Sequence, residues 1–245
     1  MKCFLLLLSA AFILSSCSKS KDAEPEITMT DPKTLELKYD QEHQFVMKKG
    51  NEITAGNLFG WSSSDQNVGT VAYDGKFKGR KIGTTVVKAT AGGKEFMSTV
   101  TITPYSQIIK EPSFDFGSDK AAIKAKTTQL LTEEFDNYLV YAGNNSAINR
   151  IIYFFQDGLL ASVAIDFADT DEIEKEVTTF YKERYPIPVL TQTGGNVYIN
   201  DEKTQGIFLD RNDSIGFYAS YGRVILTNGR LSADIKKIDQ SILKR

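Results

Sequence analysis

Cysteine and histidine are nearly absent from this chain of 245 residues: two cysteines, Cys3 and Cys17, and one histidine, His43. From Ser18 onward there is no thiol, which excludes a disulfide, a cysteine nucleophile and a sulfur-ligated metal from the rest of the chain. A lone imidazole excludes a multi-histidine metal site and, without a thiol, argues against a histidine–nucleophile pair. No apolar run reaches the roughly 20 residues that a membrane-crossing helix needs. An excess of charge of one sign is also missing, since 29 basic and 31 acidic residues leave a formal net charge of −2. So weak a field makes nucleic acid and anionic headgroups poor partners. Gly92-Gly93 and Gly194-Gly195 lack the strand-to-helix setting of a phosphate-binding loop, and no cofactor is expected.

What is present begins with MKCFLLLLSAAFILSSCSKS. Lys2 precedes an apolar run from Phe4 to Leu14, closed by Ser15 and Ser16. A charged start, a short apolar core and small residues at the cut are the order of a secretory signal peptide. Leu14-Ser15-Ser16-Cys17 resembles the lipobox of bacterial lipoproteins. The resemblance implies a signal at 1–16, cleavage before Cys17 and lipid attachment at Cys17; the alternative is an ordinary secretion signal with an incidental cysteine. Several acyl chains on one residue give an anchoring that a single chain does not. In that family Ser18, in place of Asp, fits sorting to the outer membrane. The polar stretch 17–26 reads as a flexible tether, and its acids Asp22, Glu24 and Glu26 are similar to a surface-export signal. The membrane is thus a partner through the lipid alone.

Residues 27–103 alternate in short runs that predict strands at Ile27–Thr30, Thr34–Leu37, Gln44–Met47, Gly69–Ala72, Lys76–Lys78, Thr84–Ala89 and Phe96–Thr103. Asp31-Pro32, Lys49-Gly50-Asn51, Asp74-Gly75, Gly83 and Gly92-Gly93 punctuate them, and the pattern predicts a β-sandwich. The stretch Gly60–Gly93 sharpens this. Trp61 to Asp65 (W-S-S-S-D), the apolar Val68 to Val71, Asp74 to Phe77 (D-G-K-F) and Gly83 to Ala89 follow one another at the spacing of the bacterial immunoglobulin-like domain, group 2, which this segment resembles. Gly69 departs from the alanine more usual there. Trp61, the only tryptophan, is expected in the core.

Past Pro104 the pattern changes, which predicts a second, α+β domain over 105–245. Helices are expected from Ser118-Asp119 through Lys126, and from an Asp169 cap with Glu172 completing a capping box. The latter helix carries Ile173, Val177, Phe180 and Tyr181 on one face and ends at Tyr185-Pro186. A last helix is expected to place Leu231, Ile235, Ile238 and Ile242 on one side. Between them lie strands Tyr138–Ala142, Ala147–Gln156, Leu159–Phe167, Asn196–Ile199, Gly206–Arg211, Ser214–Ser220 and Arg223–Thr227. The order suggests a duplicated unit of one helix and three antiparallel strands, similar in layout to the β-lactamase inhibitory protein class and its small lipoprotein relatives. Asp157-Gly158 is a two-residue turn signal that sets Phe155 opposite Leu160 and Ile152 opposite Val163. In the second half Asn212-Asp213 would set Leu209 opposite Gly216 and Phe208 opposite Phe217.

Candidate chemistry is sparse. Asp166, Asp169, Asp171, Glu172 and Glu174 lack the glycine and the spaced glutamate of a calcium loop and suit a helix N-terminus, so no metal is expected. His43 is expected at the surface. One hairpin face holds Ile152, Phe154, Ala161, Val163 and Ile165, suited to packing beneath the helices. The other holds Ile151, Tyr153, Phe155 and Leu160, with Ile207, Leu209 and Tyr218 in the second half. A face so apolar is either covered by a loop, the last helix or the first domain, or it binds something; Tyr153, Phe155 and Tyr218 are the candidate binding face for a protein or glycan. The expected function is a surface-displayed outer-membrane lipoprotein with a non-enzymatic binding or adhesion role. Two alternatives stand beside it: an envelope accessory or inhibitor gripping a protein partner through the duplicated domain, and a carboxylate-dependent glycoside hydrolase.

Overall fold

Period-two alternation of apolar and polar residues sends side chains to opposite faces of a strand and builds the N-terminal region. The computed structural model describes residues 24–190, 196–212, 216–227 and 230–233. The chain is mostly β. The first ten strands are β1 (Ile27–Met29), β2 (Thr34–Lys38), β3 (Glu42–Gln44), β4 (Met47–Lys49), β5 (Glu52–Thr54), β6 (Gly60–Ser63), β7 (Gly69–Val71), β8 (Lys76–Gly79), β9 (Gly83–Ala91) and β10 (Lys94–Thr103). They form three sheets, ordered β2-β10-β9-β6, β3-β8-β7 and β1-β4-β5. Their pairings are antiparallel except for β2 with β10, which run parallel from Thr34 opposite Thr99 to Lys38 opposite Thr103.

Thr85, Val87 and Ala89 on β9 and Ser98, Val100 and Ile102 on β10 point inward. Val87, Val100 and Ile102 enclose a core with Phe45, Val68 and Phe77, and a smaller cluster of Met47, Phe59 and Ala89 adjoins it. Trp61 packs against both clusters, and its indole N–H donates to the Gly56 carbonyl at 2.8 Å. Gly75 turns at φ +86° beneath that ring, where a Cβ would stand 2.7 Å from Trp61 Cζ2; only glycine fits both demands. The expected strand Gln44–Met47 is split into β3 and β4. Phe45 and Val46 leave the ladder and donate instead to the Gly75 carbonyl and the Asp31 carboxylate.

Beyond Thr103 the chain adds helix α1 (Lys120–Lys126), strands β11 (Leu131–Glu134), β12 (Tyr138–Ala142), β13 (Ile148–Gln156) and β14 (Leu159–Phe167), and helix α2 (Asp171–Lys182). It continues through β15 (Ile187–Leu190), β16 (Asn196–Ile199), β17 (Gln205–Asn212), β18 (Gly216–Thr227) and β19 (Arg230–Ala233). β11 to β18 make one antiparallel sheet ordered β11-β12-β13-β14-β18-β17-β16-β15, with β19 on the far end of β18. Each half is therefore a helix and four strands, and the halves meet where β14 pairs with β18. The expected three-stranded unit is corrected by one strand in each half. The additions, β11 and β15, are the two outer strands of that order, and the proline inside β15 is the kind of residue that an edge tolerates.

Asp157 and Gly158 form the expected two-residue turn, both at positive φ, with Gln156 opposite Leu159 and Phe155 opposite Leu160. A bulge at Ala161 then shifts the register, so Tyr153, not Ile152, faces Val163. In the second hairpin the pairing is Leu209 with Ala219 and Phe208 with Ser220, three residues from expectation, because Asn212 closes on Gly216. The expected strands Ser214–Ser220 and Arg223–Thr227 are one long strand, β18. Leu231, expected on a helix, sits in β19; the rest of that expected helix, and the segment 1–23, lie outside the described residues. The α2 cap is Thr170, whose hydroxyl accepts from Ile173 N at 3.3 Å, in place of Asp169.

Both helices pack on one face of the sheet. Ile123 from α1 and Val177, Phe180 and Tyr181 from α2 share a cluster with Ile151, Tyr153, Phe155, Val163, Leu209 and Tyr221. The opposite face carries a separate cluster of Tyr138, Val140, Ile152, Ala164 and Tyr218.

Candidate functional site

The expected binding face does not exist as one surface. Tyr153 and Phe155 lie under the helices in the main core at 1 % and 6 % exposure, whereas Tyr218 lies on the other face at 8 %. Two things separate them: the helices cover the Ile151, Tyr153 and Phe155 side of β13, not the expected Ile152 and Phe154 side, and the three-residue shift of the second hairpin, being odd, moves Tyr218 to the other face. Cys17 lies outside the described residues, among which no helix is long and apolar enough to cross a membrane.

His43, expected at the surface, is half-buried. Its Nε2 is 2.7 Å from Asp31 Oδ1, and its ring stands edge-on to Phe45. The acidic run is answered by arginines: Arg211 pairs with Asp169 at 2.7 Å and with Glu174, and Arg150 pairs with Asp166 at 2.8 Å.

Two polar features that the sequence reading did not single out lie in the C-terminal region. The first is the junction with the N-terminal region. Glu183, fully buried just past α2, accepts from Tyr105 N at 2.8 Å and Ser106 N at 3.0 Å. Arg184 Nη1 is 2.7 Å from the same carboxylate, Nη2 donates to the Ser106 carbonyl, and the guanidinium stacks 3.7 Å over Phe180. The Glu183 carbonyl accepts from Ile82 N at 2.8 Å, and Lys81 pairs with Asp201. These contacts join the β8–β9 connection to α2 and to the β16–β17 turn.

The second feature is a tyrosine–glutamate network with a surface cleft above it. Tyr185 donates to Glu111 Oε1 at 2.6 Å, Tyr221 reaches the same oxygen at 3.4 Å, and the Tyr181 and Tyr221 hydroxyls are 2.5 Å apart. Tyr198 stacks on Tyr181 at 5.8 Å. Burial pushes the Glu111 carboxyl above its ordinary range. Burial likewise holds the Tyr181, Tyr185 and Tyr221 phenols well above theirs and lifts Tyr198 to about 12. Phenols so displaced keep their protons at neutral pH and serve as hydrogen-bond donors, not as bases.

Phe114 stacks on Tyr221 at 4.4 Å and forms part of an open cleft of about 500 Å³ lined by Phe114, Asp115, Phe116, Lys203, Gln205 and Arg223, among others. The β16–β17 turn that carries Lys203 is shaped by Asn200, whose Oδ1 accepts from Thr204 N and Gln205 N, both at 2.9 Å. Lys203 itself sits at φ +54°. Arg223, near the end of the main-sheet part of β18, lies over the Phe116 ring at 6.0 Å. It also lies against Gly117, at φ +93°, where a Cβ would stand 2.7 Å from the guanidinium. Asp115 is held by Lys126 at 2.5 Å and by Ser113, and the Lys126 bond keeps its carboxyl below the usual range.

Residues 26–102 match the bacterial Ig-like domain, group 2. The three sheets of the sandwich and the Trp61 core are therefore the immunoglobulin-like domain of this chain, and a domain of this group fits a surface-associated role in binding or adhesion. Among solved structures, domains 4–9 of the surface layer protein SbsC align with 82 % of the chain at 14 % identity and a TM-score of 0.28, too distant a likeness to define a fold. The chain spans 27 % of that structure. No curated protein matches the chain.

Proposed function

We propose that this chain is a surface-displayed, lipid-anchored outer-membrane protein with a non-enzymatic binding or adhesion role. The observation that carries the reading is the immunoglobulin-like domain at 26–102, placed directly after a lipobox-like stretch and a polar tether. Cys17 holds the membrane, residues 17–26 give reach, and the immunoglobulin-like domain stands as a spacer beneath an α+β domain of duplicated build over 105–245. The bonds of Glu183 and Lys81 across the junction support a stiff connection, which a spacer requires if it is to present its partner at a fixed height. A binding role is further supported by the inward bonding of the buried polar groups: Glu111 and its tyrosines are engaged with one another, and the phenols keep their protons. Cys17→Ala tests the anchor. The variant is expected in the soluble fraction after cell lysis, while the parent stays with the outer membrane and is cut by protease added to intact cells. Equal membrane partition of the two proteins overturns the anchor.

A further inference from the structure

We infer that the cleft between residues 114–117, the β16–β17 turn and the end of β18 binds a carboxylated sugar unit of an acidic polysaccharide. This names the ligand class for the binding role above and rests on that role. Two cations, Lys203 and Arg223, line the cleft, and neither has an ion-pair partner among the described residues. The one acid among the described residues of its wall, Asp115, is already paired with Lys126. The cleft is thus electropositive on balance, in a chain with no net positive charge.

The apolar part of the wall sets the shape of the ligand. Phe114 and Phe116 lie at 24° to one another with centroids 6.4 Å apart, two near-parallel rings that form an aromatic strip along the wall. Phe114 is backed by Tyr221 and held by the buried network beneath it, so the strip is supported from below. Aromatic rings on such a wall suit the apolar C–H face of a pyranose ring. The planar fork of a guanidinium suits a carboxylate bidentately, and the Arg223 fork stands beside the strip over Phe116. Gly117 leaves the space in which that fork lies. Thr204 brings a hydroxyl to the same wall for a sugar hydroxyl. An open cleft, as opposed to an enclosed pocket, admits one unit of a continuing chain. A nucleic-acid track would need a longer run of cations than two.

The test is calorimetric titration of the purified full chain, in neutral detergent, with a galacturonate trimer, a glucuronate-containing disaccharide, a neutral galactose trimer and a tri-glutamate peptide. Saturable binding of an acidic sugar that weakens with added salt is expected, with no heat from the neutral trimer. Arg223→Gln should weaken it about tenfold or more, the range for losing a charge-assisted bond. Arg223→Lys should weaken it less, because the charge remains and the fork is lost. Phe116→Leu should also weaken it, with circular dichroism unchanged in all three variants and the melting temperature unchanged in the two Arg223 variants. The inference is overturned by absence of binding to both acidic sugars, by unchanged affinity in Arg223→Gln, or by binding of the peptide in preference to the sugars, which would assign the cleft to protein. None of these outcomes depends on Cys17, so the anchoring reading stands or falls separately.

Discussion

The two halves of the molecule bury different things. The immunoglobulin-like domain encloses small apolar clusters around Phe77 and Met47. Its exposed Glu42 carboxyl is held below the usual range by the bond to Lys76. The C-terminal region encloses Glu183 completely and sets Glu111 among Tyr181, Tyr185 and Tyr221. One half is thus specified chiefly by volume and by its turns; the other also depends on hydrogen bonds that must all be made, since a half-satisfied buried network is worse than none.

The largest test of this contrast is Glu183→Ala. Its removal leaves the amides of Tyr105 and Ser106 and the Arg184 guanidinium without their acceptor in a buried place. A loss of roughly 3–5 kcal/mol is expected, the range for breaking one side of a buried pair, read as a drop in the urea midpoint. A drop near that of an ordinary surface substitution would place the junction among the dispensable contacts. Next comes Gly69→Ala in the other half. A Cβ there would stand 2.1 Å from Phe77 Cζ, so the ring must move, at about 1–3 kcal/mol for an overpacked core. Proteolysis should then open the immunoglobulin-like domain first; loss confined to the C-terminal region would reverse the contrast.

The smallest effect concerns acidity. Burial raises the Glu111 carboxyl above its ordinary 4.5, so the folded chain holds that proton more tightly than the unfolded one. Its contribution is therefore present below the ordinary value and is lost as pH climbs through the raised one. Glu111→Gln removes this titration, and the urea midpoint of the variant should fall less than that of the parent as pH rises from 4.5. Parallel profiles would remove Glu111 from the network's energetics.

What the sequence disclosed follows the same division. Turns are local: Asp74-Gly75 and Asp157-Gly158 announce themselves in two residues, and Trp61-Ser62-Ser63-Ser64-Asp65 in five. The polar network is not local. Glu111 meets Tyr185 and Tyr221 at separations of 74 and 110 residues, and Tyr105 meets Glu183 at 78. No window along the chain contains such a pair. The failed binding face has a smaller cause, the closing of the second hairpin three residues out of the expected register, because an odd slip exchanges the faces and carries Tyr218 away from Leu209. The cleft was hidden for both reasons. Phe116 and Arg223 meet only when β14 and β18 are neighbours, and neither residue type is unusual where it stands.

The parallel pairing of β2 with β10 has a mechanical meaning. The tether enters upstream of β2, and the chain leaves β10 toward the junction at Pro104. A pull applied between the N-terminal end and the C-terminal region, as the proposed anchoring would apply it, would draw these two strands past each other lengthwise. The ladder from Thr34–Thr99 to Lys38–Thr103 would then carry the load along its whole length at once, instead of opening from one end like a zip. A protein built to hold on under flow would put its resistance there.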